Sequence, residues 1–430
     1  MDVVIKGGQT LSGEVFPSGY KNAAVALIPA SIIFDKPVTL KNVPDIADVD
    51  RLVSVLKKLG STVKWDKKMN VIVIDNSNLR FEKLTRKDLG NMKGISLLWG
   101  PMLARFGKVS FEGLPGGCTL GFRTLKPHYR AFSDLGVKIV EDKNTAEMDA
   151  TNAKASEIYL SEMSPTATEN AIMLAVGLKG QTRIFGAASE PQVQDLCSFL
   201  TKSGVKINGI ASSVLEIEGG SKLAPVEHTI ISDDHEVATF ISLAASTGGS
   251  LKVHGVNKKT FEPIRRAFMD FGVKLRYEGD TLILDPKQDL KISSDGTRGY
   301  LHFKPRQWPG VMVDNLPLFI PLALAAKSGQ VLFHNWMYDG GLFWVSELQK
   351  MGANIIIADP HRVLVTAGAK LSGDVLEAPY IIRAVIAMMM VAMIAEGETT
   401  ILNADVLYRG HPNFSQNLKN LGASIREKNK

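Results

Sequence analysis

The 430-residue chain predicts an α/β protein of two domains, and three observations lead there. A unit of alternating helices and strands recurs six times. Each unit contains one helix that is apolar on every side, which marks an interior position. The strand missing from the sixth unit is found at the opposite end of the chain. A chain this long exceeds one ordinary hydrophobic core, and a recurring supersecondary unit decides architecture ahead of any single motif.

The first helix type is amphipathic and runs through glycine into a strand. It reads VSVLKKLGSTVKW at Gly60, AFSDLGVKIVE at Gly136, SFLTKSGVKIN at Gly204, AFMDFGVKLRY at Gly272, ELQKMGANIII at Gly352 and NLKNLGASIRE at Gly422. Apolar spacing such as Leu52, Val55, Leu56, Leu59 or Phe414, Leu418, Leu421 predicts half-buried helices, and glycine after the last turn is the usual left-handed terminator. The second type is apolar throughout: NAAVALIPASII, GISLLWGPMLARFG, ENAIMLAVGLKG, VATFISLAASTGG, LPLFIPLALAAKSG and IRAVIAMMMVAMIAEG. Each leads into a strand rich in β-branched or aromatic residues (PVTLKNV, KVSFEG, QTRIFG, SLKVHG, QVLFHN, ETTILN), which is a layered α/β arrangement.

Repeat five ends RVLVTAGAKLSGDV, repeat six stops without that strand, and the N-terminus supplies DVVIKGGQTLSGEV. The beginning of the chain therefore completes its end. This places residues 1–20 with 230–430 in one domain (repeats four to six) and 21–229 in the other (repeats one to three), with chain crossings near Tyr20 and Thr229.

Composition bounds the function. Apolar residues make up 45% and charged residues 22%, the balance of a globular protein. Fifty Lys and Arg against 44 Asp and Glu give +6, with no basic run that would form a nucleic-acid stripe, so small anionic ligands fit better. Cys118 and Cys197 are the only cysteines, too few for a disulfide scaffold, so a reducing, cytoplasmic compartment is expected. The N-terminus lacks the basic and apolar regions of a signal peptide. The longest apolar stretch, Ala384 to Ala395, falls short of the roughly 20 residues that span a bilayer, so no membrane association is expected.

Four groups of residues offer chemistry. Lys21 and Asn22 stand at a predicted domain crossing, where a cation and an amide can enter a cleft; a solvated lysine and a helix N-cap are the plainer alternatives. Cys118 lies in LPGGCTLG, a glycine-rich loop, where Arg123, Lys126 and His128 favour a thiolate; the alternative is a tolerated loop thiol. Cys197 lies on the apolar stripe Val193, Leu196, Leu200 and is assigned to the core. Arg383 opens the buried helix of repeat six and Arg409 follows its strand; Arg forks bind carboxylate and phosphate oxygens, and structural ion pairs are the alternative. His235 in DDHE and His411 in RGHP look isolated, so neither is assigned to a metal, and no cofactor is required.

SGYKNAA (18–24), LPGGCTLGFR (114–123) and the repeat register together resemble the enolpyruvyl transferase family over essentially the full length, in the branch whose acceptor is UDP-N-acetylglucosamine. That resemblance implies a two-domain inside-out α/β barrel with three repeats per domain. It implies transfer of the enolpyruvyl group from phosphoenolpyruvate to a sugar hydroxyl, with phosphate released, by a protein that is a monomer. It assigns Cys118 as general acid, Lys21 and Arg409 to the catalytic centre and a catalytic Asp to the loop WPGVMVDNLP. It gives substrate contacts to Asn22, Lys93, Arg123, Thr124, Ser164, Asn315, Met337 and Arg383.

Several positions depart from the family pattern. Lys93 stands where an Arg is usual, Glu162 where a diphosphate-binding Lys is usual, Gly341 in place of an Arg and Ile381 in place of an Asp. Counting places the catalytic Asp at Asn315, with Asp314 adjacent; Asp314 is assigned as the base. Three functions fit these residues, in this order: the UDP-N-acetylglucosamine enzyme, an enolpyruvyl transferase for another nucleotide or phosphorylated hydroxyl compound, and a non-catalytic nucleotide-binding homologue.

Overall fold

All six glycines that follow the amphipathic helices adopt positive φ, between 82° and 102°. At these values a side chain would clash with the backbone, so glycine is what lets each helix stop and turn into its strand. The structure, a computed structural model, describes residues 1–89, 92–112, 124–142, 145–409 and 413–428, with the backbone alone at 93, 111, 408 and 409.

The described residues form two compact units. The terminal unit consists of Met1–Ser18 and Ser232–Lys430, and the central unit runs from Gly19 to Ile231. In the terminal unit the buried helices are Asp234–Ser246, Leu316–Ala325 and Ile382–Ile394, each with nearly every side chain out of solvent. In the central unit they are Lys21–Ala30, Trp99–Phe106 and Pro165–Gly177. The amphipathic helices, such as Ala47–Lys58 and Lys258–Met269, bury one face only. Among the described residues, no helix is long and apolar enough to cross a membrane.

The second buried helix differs from its sequence. GISLLWGPMLARF predicts one continuous helix, whereas a 3-10 segment Lys93–Leu98 precedes the α-helix Trp99–Phe106. Pro101 explains the late start: it has no N–H to give to Leu97, a loss that costs nothing in the first turn of a helix and much in its interior. Gly100 permits a close helix crossing. A Cβ there would lie 2.3 Å from the backbone oxygen of Asn170, whose side-chain Oδ1 accepts a hydrogen bond from the Gly100 N–H at 2.7 Å.

Among the described residues, six sheets, three per unit, repeat one plan. The strand after each buried helix has a parallel neighbour on one side and an antiparallel hairpin on the other. In the sixth sheet the antiparallel strand is Asp2–Lys6, held between Glu398–Leu402 and Ser424–Lys428 with Val3 opposite Ile401 and Ile5 opposite Ile425. It occupies the place that Arg362–Thr366 occupies in the fifth sheet. Gly13–Val15 supplies the parallel edge of the fourth sheet, and Val226–Thr229 that of the first. In the second sheet a single residue does this: Leu84 donates to Ser110 O and accepts from Glu112 N.

Candidate functional site

In the terminal unit the three buried helices begin at one end of the bundle. The helices at Leu316 and Ile382 have no side-chain cap, and Arg383 sits in the first turn of the second. The uncapped start at Ile382 and the Arg383 guanidinium make this end suited to anions, whereas the Leu316 N–H is already bonded to Val313 O and Pro317 has none. The helix at Asp234 is capped by Asp233, whose Oδ1 accepts from the N–H groups of His235 (2.9 Å) and Glu236 (3.2 Å).

His235, assigned from sequence to an isolated position, stands inside this cluster. Its Nδ1 lies 2.7 Å from Asn315 Oδ1 and its Nε2 3.9 Å from Asp314 Oδ2. Both Asn315 and His235 are buried, whereas the Asp314 side chain is 39% exposed. The carboxylate that reaches solvent is thus Asp314, and Asn315 is its inward-facing neighbour. Burial, reinforced by the positive charge of Arg383, holds the His235 ring below the ordinary histidine range. Burial pushes the Glu236 carboxyl up to about 7, opposed by hydrogen bonds from the Ser18 N–H and hydroxyl. Asp234, buried beside it, is pushed up to about 8 by the same cause.

Met337 is half-buried in the loop after strand Gln330–His334. In the same loop Gly341 has no room for a side chain, because a Cβ there would lie 2.0 Å from the Nδ2 of buried Asn335. The loop is packed around bare glycine, so the Arg expected from the family is not lost by one substitution alone. Ile381 is the buried N-cap of the helix carrying Arg383 and gives it no side-chain acceptor. Arg409 ends the 3-10 segment Ala404–Arg409, and its side chain lies outside the described residues.

In the central unit the helix Lys21–Ala30 is capped by Tyr20, so Asn22 is a first-turn residue and not the N-cap. Lys21 pairs with Asp48 at 2.8 Å, and both side chains are mostly buried. Ser164 caps Pro165–Gly177, its Oγ accepting from Ala167 N at 3.4 Å. Exposed Thr124 accepts a hydrogen bond from Lys126 N, and Glu162 is exposed two residues before Ser164. His128 is buried, bonded to Thr166 and Asn170. Cys118 and Arg123 lie outside the described residues, as does the Lys93 side chain. Cys197 is fully buried, and burial drives its thiol up to about 12.

Sequence reasoning missed Ser18, Asp48, Glu236 and the placement of His235. The signal was present: DDHE puts four ionisable residues at the start of a helix otherwise apolar on all sides, where burial without purpose is expensive.

Residues 5–418 match the family described as EPSP synthase (3-phosphoshikimate 1-carboxyvinyltransferase). The UDP-N-acetylglucosamine 1-carboxyvinyltransferase of Bacteroides thetaiotaomicron is 37% identical, covering 98% of this chain and 98% of its own. That of Treponema denticola is 37% identical over 100% of both. Among solved structures, the enolpyruvyl transferase NikO from Streptomyces tendae superposes with a TM-score of 0.85 at 21% identity, covering 99% of this chain and 98% of that one. An EPSP synthase from Acinetobacter baumannii gives 0.76 at 15% identity over the full length of both chains. These likenesses establish the two-domain enolpyruvyl transferase fold.

Proposed function

Because the chain belongs to the enolpyruvyl (1-carboxyvinyl) transferase family, we propose that it transfers the enolpyruvyl group from phosphoenolpyruvate to the 3-hydroxyl of UDP-N-acetylglucosamine with release of phosphate, the first committed step of peptidoglycan synthesis. The observation that carries the acceptor is identity of 37% along the whole chain to proteins bearing that activity. We also assign it to the cytoplasm, as a monomer.

The chemistry is addition followed by elimination. Asp314, the solvent-facing carboxylate of its turn, takes the proton of the attacking hydroxyl as the oxygen bonds to the enolpyruvyl C2. Cys118 gives a proton to the methylene carbon. Arg383 and the uncapped start of its helix stabilise phosphate and carboxylate charge, with Lys21 and Arg409. Collapse then breaks the C2–O bond to phosphate, and the proton returns from the methyl group to restore the double bond. Asn22, Lys93, Arg123, Thr124, Ser164 and Met337 hold the substrates, and Asn315, assigned with them from sequence but buried against His235, supports the turn that carries Asp314.

Exposed Glu162 favours a second possibility, an acceptor other than a sugar nucleotide with that diphosphate contact. Phosphate release from phosphoenolpyruvate, assayed with a panel of acceptors, separates the two. Turnover with UDP-N-acetylglucosamine and none with shikimate 3-phosphate is expected. Turnover with another nucleotide alone replaces the acceptor, and tight nucleotide binding without turnover replaces the enzyme with a binding protein.

A further inference from the structure

We propose that His235 is a positioning residue for Asp314: Asn315 fixes the imidazole so that its Nε2 receives the hydrogen bond of the Asp314 carboxyl group once that group has taken the acceptor's proton. The inference rests on Asp314 acting as base in the reaction proposed above.

Two distances and a difference in burial carry it. The Asn315 Oδ1 accepts from Nδ1 at 2.7 Å, so in a neutral ring the hydrogen is on Nδ1 and the lone pair on Nε2. That lone pair faces Asp314 Oδ2 at 3.9 Å, beyond hydrogen-bond range. Asp314 is partly exposed on the 3-10 turn Val313–Asn315, while His235 and Asn315 are both buried, so the carboxylate is the member of the trio with room to adjust. Before proton transfer, a carboxylate opposite a lone pair gains nothing. Afterwards the Asp314 O–H donates to Nε2. The contact is therefore stronger as the proton arrives than in the ground state, the condition for lowering a barrier and not merely binding.

The ring must stay neutral for this. Among the described residues, the charged and titratable groups facing it are Arg383 from the helix Ile382–Ile394, Asp314 from the adjoining turn, and Asp233 at the cap of its own helix. Burial and Arg383 disfavour the imidazolium, and the two carboxylates oppose them less strongly. A protonated Nε2–H would instead donate to the Asp314 carboxylate and weaken it as a base.

The test begins with wild-type turnover on UDP-N-acetylglucosamine; its absence sinks the proposed function itself. Given turnover, His235→Gln is expected to lower kcat at least about tenfold with acceptor KM within about twofold, as for a group acting on proton transfer. The acid limb of the kcat profile, governed by two protons in the wild type, should then follow one. In an Asp314→Asn background the same substitution should change nothing further, since its effect passes through Asp314. Additive losses, or an unaltered pH profile, would overturn the inference. Nitrogen-15 spectra of the imidazoles in the folded wild type read the pair without turnover and without a variant that must fold: His235 should carry its hydrogen on Nδ1 at neutral pH. Hydrogen on Nε2, or a ring charged at pH 7, overturns it.

Discussion

The ammonium group of Lys21 lies 2.8 Å from the carboxylate of Asp48, with both side chains at least four-fifths buried. One residue opens a buried helix and the other lies in the first turn of the next, Ala47–Lys58, so the pair pins a long flexible side chain in one place. A lysine held this way loses little freedom when a substrate anion joins it. Lys21→Ala should therefore lower turnover by roughly a hundredfold, comparable to removing one transition-state donor, and Arg409→Ala should do the same. Asp48→Asn should show the smaller loss, mainly in phosphoenolpyruvate KM. Steady-state kinetics alongside thermal melts check this, and a wild-type rate in Lys21→Ala removes that residue from the centre.

Cys118 and Cys197 should separate cleanly toward an electrophile. Cys197 is fully buried with its thiol raised to about 12, so it has neither access nor thiolate. Fosfomycin, an epoxide resembling phosphoenolpyruvate, should label Cys118 alone. If the loop thiol serves as an acid, Cys118→Asp should keep substantial activity and resist the epoxide, while Cys118→Ser should be nearly inactive at neutral pH. Mass spectrometry locates the adduct; modification of Cys197 first, or a fully active Cys118→Ser, contradicts the assignment.

Stability should fall as the pH rises from about 4 to about 8. The folded state holds Asp234 near 8 and Glu236 near 7, against unfolded values of 3.8 and 4.5. Between those limits the native state binds more protons than the unfolded one, so the slope of unfolding free energy with pH is negative. The stabilisation is complete below the unfolded values and is lost through the folded ones. Urea titrations at pH 5, 6.5 and 8 should show the decline, and Asp234→Asn should flatten it. An equally steep decline in that variant places the buried proton elsewhere.

Gly100→Ala should destabilise the central unit by roughly 1 to 3 kcal/mol, the usual cost of overpacking a rigid contact. The added carbon meets backbone, the Asn170 carbonyl, and not a side chain that can swing aside. An unchanged urea midpoint would mean that the helices separate without penalty.

The repeats were legible because their signals are local. A strand after an apolar helix and the glycine after the next amphipathic one lie about 18 to 24 residues apart, and all six pairs are present in the structure. Pro101 was equally visible, yet its effect on where the helix starts depends on counting from the correct first turn. The His235 cluster was legible only in part: DDHE marks one side of it, but its decisive contact, to Asn315, joins residues 80 positions apart. Likewise Asn22 reads as a cap by residue type, while the backbone gives that place to Tyr20.

The strand Asp2–Lys6 has partners only at 398–402 and 424–428. On the ribosome it emerges long before either neighbour is made. The central unit, Gly19 to Ile231, draws all its sheets from one contiguous stretch and has every strand it needs by mid-translation. The terminal unit must instead wait with an unpaired apolar strand, VVI, exposed until residues 398–402 and 424–428 follow. Nascent chains arrested before residue 398 should therefore yield a protease-resistant central unit with residues 2–6 open to cleavage, the interval in which a chaperone has most to protect.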